Sequence, residues 1–380
     1  MTNRNLLVLC FCFILFPFLL PALSVESGAR LAGRAMPTQP GMPASATPCS
    51  GGMAGVYPCN NINLLAFVPI ASMGCASSGN TVEGWVDSMT GKEYALMGCD
   101  NGVSFLDVSD PVNPVYLGRL PGHNGSTSLW RDIRVYSNRA YVGSEASGHG
   151  IQVFDLTRLR GVSTPQTFTE DAHYDGLGNS HTIYINPDSG FLYAVGSGGG
   201  ANVCPSGLHM INVQNLVPVY AGCFAAGTYT HETTCLNYSG PDTAYDGHEL
   251  CFSANGPTQQ LVIVDVTNKS APVQVSTTTY TGASYPHQVW LTEDQTYLLL
   301  DDELDESNFG HSTVTYIWNI SNLNSPQLIN AFPHGTNSID HNQYVKGNYA
   351  YQSNYEAGLR IFDLSSVASG TMNEVGYFDI

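Results

Sequence analysis

Four histidines recur at one place in successive stretches of this chain: His181 in SHTIYI, His231 in THETTC, His287 in PHQVWL and His341 in DHNQYV, spaced 50, 56 and 54 residues apart. Imidazole titrates close to neutrality, and its neutral form ligates Zn, Cu or Fe. A carboxylate would complete such a shell, and Glu145 and Glu303 fall in loops expected to share the histidines' face. Glu303 belongs to an acidic run of Asp301, Asp302, Glu303, Asp305 and Glu306. Clustered hard oxygens suit Ca²⁺, although this run lacks the spacing and the glycine of an EF-hand loop and reads equally as a solvated acidic loop. The histidines also have a purely structural reading, in which each ring hydrogen-bonds the neighbouring repeat. Arg131 and Asp132 hold the corresponding place one repeat earlier, and Trp85 lies near it in the first. His149 is expected on the same face, whereas His173, His209, His248, His311 and His334 fall outside the register and should serve local contacts. No CxxC, HExxH or GxSxG pattern is present, so a thiolate zinc site, a zincin and an α/β-hydrolase nucleophile are not indicated. GSGGG at 196–200 lacks the Lys-Ser/Thr pair of a phosphate cradle.

The elements that would bring these residues together are visible as a repeat. A short apolar strand ends in Asp or Asn, and a turn rich in polar residues and proline follows. The pattern appears in GVSFLDVSDPVNP, GIQVFDLTRLR, GLHMINVQNLVP, QLVIVDVTNKSAP, VTYIWNISNLNSP and GLRIFDLS. The closing residues are Asp107, Asp155, Asn212, Asp265, Asn319 and Asp363, separated by 48, 57, 53, 54 and 44 residues. Asp or Asn at a strand end accepts a hydrogen bond from the backbone N–H two residues on, which starts a turn. Several short strands per unit of about 40–55 residues is the propeller signature. The reading is therefore all-β, a β-propeller with six recognisable four-stranded repeats. The first strand of each blade lines the axis, so the histidines should converge at one mouth.

The chain opens with Arg4, an apolar run over 6–20 and small residues at Ala22 and Ser24, the pattern of a secretory signal peptide over 1–24. The run is short for a membrane span, and no later segment matches its length. Residues 25–60, rich in Pro, Gly, Ala and Met, read as a flexible leader, and 61–380 as the propeller domain. Of ten cysteines, Cys10 and Cys12 leave with the signal. The remaining eight form sequence neighbours, Cys49 with Cys59, Cys75 with Cys99, Cys204 with Cys223 and Cys235 with Cys251, and an even count in a secreted chain reads as disulfides. A net charge of −18 excludes nucleic acid and anionic membrane surfaces as partners and leaves cations, glycans and proteins.

LVIVD at 261–265, LWRDIRVY at 129–136, GHGIQVFDLTRLR at 148–160, LDDELDE at 300–306 and SNYEAGLRIFDL at 353–364 resemble the choice-of-anchor B group of the LVIVD-repeat proteins. The resemblance runs from about residue 63 to the last. It implies a secreted or surface-anchored β-propeller of seven blades, with the last blade absent or incomplete here, and it implies no activity. Two outcomes are expected: a truncated chain with an open edge, or a six-unit ring in which residues 63–70 (NLLAFVPI) add to the last sheet.

Two functions fit: an extracellular binding or scaffold module that presents its loop face to a glycan or protein, and a metal-dependent oxidoreductase or hydrolase built on the histidine mouth. Sequons at Asn124, Asn237, Asn268 and Asn319 are candidate glycosylation sites.

Overall fold

In the computed structural model the described residues are 46–202, 204–225 and 229–380. They form six antiparallel sheets that follow one another along the chain, the blades of a six-bladed β-propeller. The expected signal peptide, and residues 25–45 of the expected leader, lie outside the described residues.

The innermost strands are Gly79–Val86, Arg131–Tyr136, Thr182–Asn186, Glu232–Asn237, Pro286–Leu291 and Asn342–Lys346, each lying beside the next. The third strands carry the repeat: Gly102–Asp107, Ile151–Asp155, Leu208–Asn212, Gln260–Asp265, Val314–Asn319 and Leu359–Asp363. Each ends as the sequence predicts. Asp107, Asp155, Asn212, Asp265, Asn319 and Asp363 accept the N–H two residues on at 3.0, 2.9, 3.0, 2.9, 2.8 and 2.7 Å. In the second blade the chain makes a detour. Gln166–Thr167 pairs in parallel with the outer strand of the first blade, Val115–Pro121, before Ala172–Tyr174 completes the second.

A middle strand such as LVIVD reads as a continuous apolar run because both its faces are covered. Its side chains enter two clusters in turn. Val262 and Val264 pack with Tyr193 and Met210 of the preceding blade, and Leu261 and Ile263 with Leu298 and Leu300 of the following one. Five such clusters fill the interfaces from the first blade to the sixth. The seam between the sixth and first blades is different. There the first blade packs Ala95, Met97 and Leu106 on Val68, Met73 and Cys75, while Val82 and Val86 stay 65% and 63% exposed. Across the seam, Tyr344, Tyr351 and Leu359 of the sixth blade line an open apolar cleft with Ile62 and Leu64.

Closure uses a segment other than residues 63–70. Tyr57–Asn60 pairs with the outer strand of the last sheet, Asn373–Phe378, through Cys59↔Phe378 and Asn60↔Tyr377, and Met53–Ala54 pairs with it in turn. The physical reason is alternation: Tyr57 and Cys59 are buried and Pro58 and Asn60 exposed, the pattern of a half-buried strand. Tyr57 stacks on Phe378 at 5.7 Å, and the Cys49–Cys59 disulfide holds the hairpin. Residues 63–70 contribute a single bridge, Thr47↔Leu64, and Pro69 there has no N–H to donate to a ladder. The flexible leader therefore does not extend over these strands. The other disulfides join Cys75–Cys99, Cys204–Cys223 and Cys235–Cys251. Cys235 and Cys251 face each other on the first and second strands of the fourth blade.

Candidate functional site

His181, His231 and His341 immediately precede the innermost strands of their blades, and His287 is the second residue of its own, Pro286–Leu291, in four successive blades. The propeller therefore lays them side by side, with ring centroids 4.3, 4.3 and 4.2 Å apart from His181 through His231 and His287 to His341. His181 Nδ1 is 2.6 Å from Glu145 Oε1, at the end of the second blade's second strand. Glu303 lies at the other end of the arc: its Oε2 is 3.8 Å from His287 Nε2 and its Oε1 4.0 Å from His341 Nε2. Tyr355 donates to Glu303 Oε1 at 2.7 Å, and the Tyr285 hydroxyl lies 3.1 Å from His231 Nδ1. His231 Nε2 is buried without a hydrogen-bond partner, and His287 Nδ1 makes no hydrogen bond of good geometry, the His341 backbone being its neighbour.

Burial and the neighbouring rings hold His231 and His287 well below the usual histidine range, and burial also lowers His341 against the pull of Glu303. At His181 burial opposes the charge, but the hydrogen bond and charge of Glu145, with Glu232 and Glu303 behind it, outweigh burial and raise the pKa. The arc thus offers three neutral imidazoles and one ion-paired end. His231, His287 and Glu303 each present a ligand atom within 4.8 Å of the others, the spacing a single metal ion could gather. Three residues further along the same strands, Tyr184 and Trp290 meet at 6.0 Å and Trp290 and Tyr344 at 4.9 Å, which stacks an aromatic layer behind the histidines.

The structure places the acidic run differently from a solvated loop. Asp301 and Asp302 end the strand Tyr297–Asp302, and Asp305 and Glu306 open a short helix, Asp305–Phe309; all four are buried. Asp302 takes the Tyr280 hydroxyl at 2.6 Å and the backbone N–H groups of Ser284 and Tyr285, which fixes the loop leading to His287. Asp301, Asp305 and Glu306 meet instead a residue the sequence reading missed, Asp340. Glu232, also missed, accepts from Asn342 Nδ2 at 2.9 Å, and burial pushes its carboxyl up to about 7. The available signal was adjacency: Glu232 follows His231 and Asp340 precedes His341.

The earlier repeats do not extend the arc. Arg131 is buried, with its Nη1 2.7 Å from His149 Nε2 and its Nε donating to the Cys99 carbonyl. His149 is thereby committed to Arg131 and Gln152, away from the four histidines. Trp85 sits at the far end of its strand, packed on Tyr94 at 4.9 Å, because the mouth positions fall at strand starts. The remaining histidines make local contacts: His173 with the His149 carbonyl, His209 with Tyr174, His248 with Asp265, His334 with Thr315, and His311 with the Ser312 carbonyl. Asn124, Asn237 and Asn268 are exposed and Asn319 is half-buried; Asn268 and Asn319 each accept the N–H two residues on in their turns, and Asn237 accepts from Asn186.

The LVIVD repeat pattern matches residues 257–279 and 342–379. No curated protein matches the chain. Among solved structures, the periplasmic gluconolactonase of Pseudomonas aeruginosa is similar at 11% identity and a TM-score of 0.53, covering 80% of this chain and 90% of that one. A functionally unknown protein from Desulfotomaculum acetoxidans DSM 771 aligns at 14% identity and a TM-score of 0.52, covering 78% and 84%. The WD40 domain of Toxoplasma gondii coronin aligns at 14% and 0.51, covering 75% and 68%. At these identities the likeness speaks for the fold alone. The chain thus carries two stretches that match the LVIVD repeat, set within the fourth and sixth blades of a six-bladed, all-β propeller.

Proposed function

We propose that this chain is a secreted extracellular binding module that offers its histidine-bearing loop face to a glycan or protein partner, with a divalent transition metal organising that face. At the finer level we assign it to the choice-of-anchor B group. Four disulfides support an oxidising compartment. Among the described residues no helix is long and apolar enough to cross a membrane. The observation that carries the metal is the buried trio of His231, His287 and Glu303, with ligand atoms within 4.8 Å of one another. His231 Nε2 is buried without a hydrogen-bond partner, and burying a polar atom unpaired is unfavourable unless something meets it. His181 with Glu145 and His341 flank the trio as further ligands or as its rim.

The test is Zn²⁺ titration of the purified, chelator-treated protein by calorimetry. A single saturable site is expected, abolished by His231→Ala and by His287→Ala. His248→Ala, which alters a side chain that contacts Asp265 and Tyr245 outside the arc, should bind as the parent does. Zn²⁺ binding that survives both arc substitutions would remove the metal from the proposal and leave the loop face as a partner surface without one.

A further inference from the structure

Beside the histidine arc lies a second cluster of different chemistry. Asp301, Asp305 and Asp340 are 0% exposed and Glu306 is 8% exposed. Asp305, Glu306 and Asp340 place carboxylate oxygens within 4.8 Å of one another. Asp301 reaches the group from the end of its strand, against Asp340. Among them, both oxygens of Asp301, Glu306 and Asp340 and Oδ1 of Asp305 are buried without a hydrogen bond of good geometry; the Gln343 amide beside Asp301 and the Val314 N–H beside Glu306 are too few to satisfy four carboxylates. The other Asp305 oxygen accepts from the Tyr316 hydroxyl at 2.8 Å and lies 3.7 Å from His311 Nε2. An isolated buried carboxylate is strongly disfavoured, and several together repel one another. Neighbouring Asp302 shows how this fold satisfies such a group when donors are meant to do so, with one hydroxyl and two backbone N–H groups.

We infer that Asp301, Asp305, Glu306 and Asp340 form a calcium site that ties the fifth blade to the sixth. The donors are all hard oxygens, which selects an alkaline-earth ion over the transition metals that imidazole prefers. Their number and burial select Ca²⁺ over Mg²⁺. Calcium accepts six to eight oxygens from several carboxylates in irregular geometry, whereas Mg²⁺ retains much of its water and prefers one or two carboxylates. The position gives the ion a task. Asp301 and Asp305 bracket Glu303 in sequence, and Asp340 directly precedes His341. An ion clamping the four carboxylates fixes the backbone on both sides of the histidine arc's acidic end. The inference stands on the carboxylates alone and does not require a metal at the histidines.

The test uses the full chain, stripped with a chelator and titrated with Ca²⁺ at neutral pH by calorimetry. One saturable site is expected, with Mg²⁺ binding more weakly. Asp340→Asn and Asp305→Asn should each weaken it by about ten-fold or more. His287→Ala should keep its Ca²⁺ affinity while losing Zn²⁺, so the two sites can fail separately. A second measurement needs no variant. Tb³⁺ bound here would be sensitised by Tyr316, whose hydroxyl touches Asp305, and Ca²⁺ should displace the emission. Lack of saturable Ca²⁺ binding together with lack of Tb³⁺ emission, or parental Ca²⁺ affinity in Asp340→Asn, would overturn the inference and assign the cluster to carboxyls that share protons.

Discussion

Glu249 and the carboxylates around Asp340 are both buried in this propeller, and they are built on opposite plans. Glu249 is 6% exposed, at the start of the fourth blade's second strand. Its Oε1 accepts from Asn186 at 2.8 Å, Ser189 at 2.6 Å and Tyr193 at 2.6 Å, and its Oε2 from Lys269 at 2.6 Å. Burial opposes its charge, but these donors outweigh burial and hold the pKa below the ordinary glutamate value. At the mouth, Asp301 and Asp340 are as deeply buried without a well-formed hydrogen bond, Asp301 having only the Gln343 amide and Asp340 beside it, and burial pushes both carboxyls far up. Burial is common to the two, so burial does not mark a functional group. The missing donors do. A carboxylate that the fold has satisfied is a structural tie, and one that it has left unpaired is waiting for a proton or a cation.

The comparison is broken most directly at Glu249. Glu249→Ala strands Lys269, whose side chain is 11% exposed, and removes the acceptor of three more donors. Breaking a buried pair from one side destabilises by about 3–5 kcal/mol, and urea unfolding should show a loss of that order. A loss within error would mean that the Glu249 network is no more than decoration on the third and fourth blades.

Acid should unmake the satisfied half of the molecule in two stages. Burial, and then the Arg131 charge, lower His149 from 6.5 to about 4, and burial lowers His209 to about 4. A base with a depressed folded pKa leaves the unfolded chain to take the proton first. Its stability is therefore complete above about 6.5 and is lost as the pH falls toward 4. For His149 alone the shift corresponds to about 3 kcal/mol. Glu249 follows, because its lowered pKa supplies stability that is present above 4.5 and lost as the pH falls through the folded value. Melting temperatures measured down this range should drop first for the histidines, and Glu249→Gln should flatten only the part below about 4.5. A single drop confined below 4.5 would contradict the assignment to buried neutral histidines.

The propeller was legible because each blade repeats a local device. Asp or Asn at a strand end, an apolar run and a turn are all contained within a dozen residues, and the structure repeats the same hydrogen bond six times. The four histidines were legible for the same reason, since equal places in equal repeats must meet around an axis. What escaped depends on contacts between repeats. Asp340 joins Asp301 and Asp305 across two blades, and nothing in SIDHNQ announces that. Glu249 lies inside a strand next to His248, with partners up to 63 residues away. Residues 63–70 are the more apolar segment, but Tyr57–Asn60 alternates buried and exposed residues and is tied by Cys59, and it is the segment that pairs with the last sheet.

Asp301→Asn should act in the sense opposite to Glu249→Ala. In chelator the substitution replaces a buried carboxyl, met only by Gln343 and Asp340, with a neutral amide beside Asp340, which can take a hydrogen bond from it. Removing one of several mutually repelling carboxylates relieves a cost of about 1–3 kcal/mol, so the variant should be more stable than the parent. With Ca²⁺ present the order should reverse. A destabilising Asp301→Asn in chelator would show that the cluster is already satisfied without an ion.

The smallest expected effect probes how much redundancy the satisfied site contains. Tyr193→Phe removes one hydroxyl from Glu249 Oε1 and leaves a ring of nearly the same volume in the core between the third and fourth blades. A hydrogen bond to a charged acceptor is worth about 1.5–3 kcal/mol when its loss leaves the acceptor bare. Here Asn186 and Ser189 still donate to the same oxygen and Lys269 to the other. The loss should therefore fall to about 1 kcal/mol, because the carboxylate stays ionised and paired. The acid limb below 4.5 should move slightly toward higher pH, since one of the contacts holding that pKa down is gone. A loss as large as that of Glu249→Ala would mean that the four donors act as one unit, and that Tyr193, not Lys269, decides whether the carboxylate can remain charged inside the fold.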